Sequence, residues 1–174
     1  MFQPPIPYDF QDVEAYQRNS MAYVKPVATH RIRPISKYAL DHSSKMVKVR
    51  AITNRIEAIH RLQNNWDGYG AITPTHKVFQ NTYLFLNLLP IDISLTLLPD
   101  NISPTPYGTL QLDWQKNNAL LSVEIGTSKI AFFSEFPDQS NPRSDGYLFN
   151  GTKIALDLVQ AINRFFAIGS PKKM

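Results

Sequence analysis

A chain of 174 residues is the size of one ordinary domain, and 43 % hydrophobic residues allow a sizeable core. There is no cysteine, which excludes disulfides, thiolate metal centres and thiol nucleophiles and suits a reducing, cytoplasmic setting. The formal net charge of +4 is unevenly spread: residues 1–63 hold ten Lys/Arg against five Asp/Glu, and residues 64–174 hold eight against nine.

Residues 1–44 show neither a helical nor a strand period. Pro4, Pro5, Pro7, Pro26 and Pro34 each remove a donor and fix φ, while Phe2, Tyr8, Phe10, Tyr16, Tyr23 and Tyr38 supply scattered apolar anchors. This segment reads as an extended basic arm, with a helical turn near Asp9–Arg18, that docks on its own domain or on a partner. Met1 leads directly into Phe2 and the first prolines without a basic or an apolar region, so no secretory signal is expected.

A single α+β domain is expected over 45–169, followed by a tail at 170–174. Ser43 and Ser44 are suited to cap a helix running to about Asn64, with Val49, Ile52, Ile56, Ile59 and Leu62 on one face. Asn64 to Ala71 is a loop with the turn dipeptide Asp67-Gly68. Thr73-Pro74 then opens a second helix, Pro74–Leu89, which buries Val78, Phe79, Leu84, Phe85 and Leu88 and is stopped by Pro90. Residues 91–108 are a proline-containing connector, with a short strand expected near Ile93–Leu97. The apolar stretch Tyr83–Leu98 is broken by Asn87, Pro90 and Asp92 and is too short to span a bilayer, so no membrane partner is expected.

The clearest β pattern follows. Leu110, Leu112 and Trp114 alternate with polar residues, as do Leu121, Val123 and Ile125, and then Ile130, Phe132 and Phe136 share one parity. A tight turn at Asn117-Asn118 pairs Trp114 with Leu121 and Leu112 with Val123, and a turn at Thr127-Ser128 pairs Ile125 with Ile130. Two turns and three strands thus agree on one register, which predicts a three- to four-stranded antiparallel meander. Pro137–Gly146 reads as an exposed loop and Tyr147–Phe149 as the short fourth strand. A final helix from Asn150–Thr152 to Ala167 buries Ile154, Leu158, Ala161, Ile162 and Phe165. The helices must cover one face of the sheet, because its other face is polar.

The run Asn65-Trp66-Asp67-Gly68-Tyr69-Gly70-Ala71, the helix ending Leu88-Leu89-Pro90, and the connector Ile102-Ser103-Pro104-Thr105-Pro106-Tyr107-Gly108 leading to Asp113-Trp114 resemble a family of small uncharacterised bacterial proteins. The resemblance covers roughly residues 60–136. It implies a fold and no catalytic residues. The chain departs from the family's commoner Asp-Gly pair at Tyr107-Gly108, and the arm falls outside the resemblance.

Four groups of residues bear on chemistry. Trp66, Asp67 and Tyr69 form the candidate interaction loop, since aromatics on a glycine-flanked loop suit a ligand wall or a protein hot spot. The plainer alternative is a packed corner, with Trp66 filling the space between helices and Asp67 capping an amide. Asp113, Glu124 and Glu135 lie staggered over separate rows of the derived register and do not converge as metal ligands, so neither metal nor cofactor is expected. A diagonal Asp113–Glu124 carboxylate pair is the only acid/base arrangement left. His30, His42, His60 and His76 lack metal-ligand spacing, although His60 and His76 could flank the Trp66 loop. Arg31, Arg33, Arg50, Arg55 and Arg61, with tyrosines interleaved, could track a phosphate backbone.

The reading these features favour is a non-enzymatic protein-interaction module of bacterial or phage type, comparable to antitoxin-like or immunity-like proteins, with an unknown protein partner. Two alternatives stand beside it: a nucleic-acid binder using the five arginines, and an enzyme with a pocket joining the Trp66–Gly70 loop to Asp113 or Glu124. A homodimer through the sheet is a further option.

Overall fold

The structure, a computed structural model, describes residues 37–168 of the chain. Helix α1 (Lys37–His60) is followed by α2 (His76–Leu88), the one-turn α3 (Ile91–Ser94) and a 3₁₀ turn at Pro99–Asn101. Five strands come next: β1 (Ile102–Pro104), β2 (Leu110–Lys116), β3 (Ala119–Ile125), β4 (Lys129–Glu135) and β5 (Arg143–Leu148). Helix α4 (Leu156–Ala167) closes the described region. The strands form one antiparallel sheet in sequence order, β1-β2-β3-β4-β5. The chain is therefore α+β as expected, with one strand more than the longest predicted meander.

The central register follows from turn chemistry. Asn117 and Asn118 both sit at positive φ, 48° and 60°, the backbone that a two-residue hairpin needs and that Asn tolerates better than most residues. This places Leu112 opposite Val123, Trp114 opposite Leu121 and Ile125 opposite Ile130, as derived from the sequence. All six side chains are buried, and they form one cluster with Ile52, Ile56 and Ile59 of α1, Val78, Phe79 and Phe85 of α2 and Leu158, Ala161, Ile162 and Phe165 of α4. The helices thus supply the other half of a single apolar core.

Several boundaries differ from the sequence reading, each for a physical reason. Helix α1 does not start at Ser43-Ser44 but passes through them from Lys37, so residues 37–44, read as the end of the arm, are its first turns. Serine at mid-helix costs only tenths of a kcal/mol against alanine, about 0.5, and a cap residue does not compel a start. The same helix ends at His60 rather than Asn64: the N–H groups of Arg61 and Leu62 bond back only three residues, to the Ala58 and Ile59 carbonyls, and the helical ladder stops there. Helix α2 begins at His76, with Thr75 rather than Thr73 before its first turn. Its buried face is Val78, Phe79, Asn81, Thr82 and Phe85, while Leu84 and Leu88 are 38 % and 37 % exposed.

Residues 93–97 form helical turn instead of strand: Pro90 pre-sets the entry, and the Ser94 hydroxyl donates to the Leu86 carbonyl at 2.9 Å. Residues 143–146, expected in a loop, are paired strand against β4. Helix α4 starts at Leu156 rather than at Asn150–Thr152, where the Asn150 carboxamide oxygen accepts both the N–H and the hydroxyl of Thr152 in a closed turn. The rest of the expected arm lies outside the described residues.

Polar side chains lock the layers together. Asn81, fully buried, donates from its amide to the carbonyls of Gly126 and Thr127 at 2.9 and 3.0 Å, pinning the β3–β4 turn to α2. Asn101 donates to the Asp113 carbonyl at 3.1 Å, and the Ser134 hydroxyl to the Pro142 carbonyl at 2.7 Å. Arg164 of α4 pairs with Asp138 and lies over the Phe136 ring at 4.2 Å, which ties the β4–β5 loop to the last helix.

Two measurements test this account. Asn118→Val forces a β-branched residue to positive φ and should lower unfolding free energy by about 1–2 kcal/mol, whereas Asn118→Gly should be close to neutral, both read by chemical denaturation. Burial pushes the Tyr147 phenol up from 10.0 to about 12. A group whose folded pKa is raised stabilises fully below its unfolded value and loses that contribution above it. Stability should therefore fall between about pH 10 and 12, and Tyr147→Phe should flatten that fall.

Candidate functional site

The loop between α1 and α2 is closed by its own backbone. The Asn65 N–H donates to the Ala71 carbonyl at 2.7 Å, and the Gly68 N–H to the Asn65 carbonyl at 3.0 Å. Two side chains then knit the interior. The Asp67 carboxylate accepts the N–H groups of Tyr69 and Ala71 through one oxygen, at 2.8 and 3.1 Å. The Asn65 carboxamide oxygen accepts the Gly70 N–H at 2.8 Å, and that of Asn64 the Thr73 N–H at 2.9 Å. These bonds to the charged form, the Tyr69 N–H first, hold the Asp67 carboxyl below its ordinary value of 3.8. The amide-capping role expected of Asp67 is visible here.

The path needs glycine where it reverses: Gly70 has a φ of 94°, which L side chains rarely adopt. The polypeptide therefore turns tightly, with Tyr69 between its two glycines. Tyr69 is 94 % exposed. Trp66 is half-buried, with its indole N–H out of solvent contact.

A second loop, not among the residues singled out for function in the sequence, leans against the first. Ile72 pairs with Tyr107 in an isolated parallel bridge, and its N–H donates to the Pro106 carbonyl at 2.9 Å. Gly108, at a φ of 76°, lets Ile72 approach: a Cβ there would lie 3.2 Å from the Ile72 Cγ2. Tyr107 is 83 % and Ile72 57 % exposed. Two loops, each closed by hydrogen bonds of its own, thus display Tyr69, Ile72 and Tyr107 to solvent. The signal in the sequence was the Pro106-Tyr107-Gly108 run, whose closeness to residue 72 depends on tertiary structure.

The other candidate residues are not gathered in the same way. Arg50 on α1 and Arg61, one residue past its end, are exposed, and the exposed Glu57 of α1 lies between them along the chain. Arg55 is turned inward and donates its Nε–H to the Ile102 carbonyl at 2.9 Å, anchoring β1 to α1. Arg31 and Arg33 lie outside the described residues. The basic stripe expected along α1 is thus interrupted by one acid, and one of its members serves the fold.

On the sheet, Asp113 stands opposite Ser122, Glu124 opposite Gln111 and Glu135 opposite Leu120, as derived. The Gln111 amide donates to both Asp113 oxygens, and the Thr109 hydroxyl donates to Glu124 at 2.6 Å. Gln111 therefore comes between the two carboxylates of the diagonal pair. Among the described residues no group of three or more His, Cys, Asp or Glu could hold a metal ion, and no helix is long and apolar enough to cross a membrane. His60 packs edge-on against Phe79 at 4.5 Å, and the His76 ring meets the Gln80 amide at 3.1 Å. A trough on the outer face of the sheet is lined by Glu124 and Gln111, but by no residue of the Trp66–Gly70 loop.

The loop geometry makes a direct prediction. Asp67→Asn keeps the one oxygen that accepts both amides, whereas Asp67→Ala removes it. Amide hydrogen exchange at Tyr69 and Ala71 should stay slow in the first variant and become fast in the second, with the core amides of β3 unchanged in both.

Compared with protein-family models, curated proteins and solved structures, the chain matches none of them.

Proposed function

We propose that this chain is a protein-interaction module, without catalytic activity of its own, that offers the Trp66–Ala71 loop and the adjoining Pro106–Gly108 turn to a partner protein. The observation that carries this reading is Tyr69, 94 % exposed on a loop whose backbone is hydrogen-bonded from within. An aromatic ring held out by rigid backbone loses little entropy on binding and brings a large contact area, which is why tyrosine is frequent at binding hot spots. Tyr107 and Ile72 extend the apolar display on the neighbouring loop. The class of protein this display fits is a bacterial antitoxin-like or immunity-like partner protein, and the cysteine-free composition suits a reducing cytoplasm.

A photo-crosslinking amino acid placed at position 69, expressed in the source cell, tests the reading. One dominant adduct is expected, competed away by unmodified protein and weakened by Tyr107→Ala. The same crosslinker at the exposed Lys153 should give no such band. Equal labelling from both positions would sink the proposal. A steeply salt-dependent nucleic-acid adduct would replace it with the phosphate-binding alternative.

A further inference from the structure

The outer face of the sheet carries a trough of about 360 Å³ lined by Gln111, Glu124, Ala131, Phe133, Arg143 and Asp145, among others. Its origin is local. Ala131 lies opposite Glu124 on β3, but on β5 the register jumps from Ile130–Tyr147 to Phe132–Ser144. No β5 side chain therefore stands squarely against Ala131, and its single methyl group leaves the floor low. The irregularity also explains how Arg143 and Asp145 reach the outer face while Tyr147, of the same parity, packs on the core.

The walls carry opposed carboxylates. Glu124 rises from β3 and Asp145 from β5, two strand spacings apart, about 9.6 Å at the backbone. Glu124 is held in place by a chain of hydrogen bonds. The Thr109 hydroxyl donates its one proton to Glu124 at 2.6 Å, so the Thr105 hydroxyl is the donor to Thr109, also at 2.6 Å. The Tyr107 N–H completes the chain, donating to Thr105 at 3.3 Å. Gln111 is likewise held away by Asp113. Neither Glu124 nor Asp145 makes an ion pair with any described residue, and the trough holds two negative charges against the one positive charge of Arg143. Phe133, 36 % exposed, also lines the trough.

We propose that this trough is a binding site for a guanidinium or alkylammonium head group on an apolar stem. The cation lies over Ala131 between Glu124 and Asp145, and the stem lies along Phe133. Carboxylates on both sides complement a planar cation, and the face of an aromatic ring attracts one. Such a head group reaches the site either on a peptide, as an arginine side chain, or on a free amino acid whose carboxylate would turn to Arg143. The proposal does not depend on the Trp66 loop.

The test is a ¹⁵N-resolved NMR titration of the full chain with two probes, N-acetyl-arginine-N-methylamide and free L-arginine. Saturable shifts are expected at the amides of Glu124, Ala131, Phe133 and Asp145. Glu124→Gln and Asp145→Asn should each weaken binding roughly fivefold, the upper end for a solvent-exposed charge contact. Ala131→Leu, which fills the floor without changing charge, should abolish the shifts, and Glu135→Gln, outside the trough, should leave them unaltered. Tighter binding of the blocked probe assigns the site to a peptide. Tighter binding of free arginine assigns it to an amino acid held also by Arg143. The absence of saturable shifts with both probes overturns the proposal, as do shifts that survive Glu124→Gln, Asp145→Asn and Ala131→Leu together.

Discussion

Everything in this fold depends on one register. Two asparagines in left-handed conformation close the β2–β3 hairpin, and the pairing that follows commits Leu110, Leu112 and Trp114 of β2, Leu121, Val123 and Ile125 of β3, and Ile130 and Phe132 of β4 to the same side. A slip of one residue would turn the apolar set of the displaced strand to solvent, Leu112 and Trp114 or else Leu121 and Val123, and bring Asp113 or Glu124 to the core face in its place. The helices add no competing constraint. They meet the sheet with ordinary aliphatic and phenylalanine contacts, and their positions are refined by single polar ties: Asn81 to the β3–β4 turn, Arg55 to β1 and Ser94 to the end of α2.

That division of labour leaves two surfaces available for function, and they are built differently. The Trp66–Ala71 loop is shaped by hydrogen bonds within a short stretch of chain, so its form is largely independent of the core. It gains its neighbour only because β1 returns the chain to Ile72 and Tyr107. The outer face of the sheet is shaped by the core register itself, since the side chains that do not face inward must face outward. The irregularity between β4 and β5 is what turns a plain polar face into a concave one. A chain of hydroxyls from Thr105 through Thr109 to Glu124 joins the two surfaces. A partner that moved the Pro106–Gly108 turn would disturb the orientation of Glu124.

The arginines illustrate that position in the fold, and not composition, sets the role of a basic side chain. Five were candidates for phosphate contact because they are positive and close in sequence. In the folded chain Arg55 satisfies a backbone carbonyl of β1, and Glu57 divides Arg50 from Arg61. A guanidinium with five donors is as useful for closing a packing problem as for meeting an anion, and only its surroundings tell the two apart.

Local sequence determined the parts of this protein that local physics governs. Strand alternation, the Asn117-Asn118 turn, the buried stripes of α1 and α4, and the amide-capping role of Asp67 all follow from residue type and spacing over a few positions. Tertiary structure decided the rest. Whether α1 begins at Ser43 or Lys37, whether residues 143–146 pair as a strand, and whether Leu84 or Asn81 faces the core depend on neighbours far away in sequence. The meeting of Ile72 with Tyr107, and of Glu124 with Asp145 across Ala131, is of the same kind. Each joins residues more than twenty positions apart, and no local propensity can report which distant partner will be there.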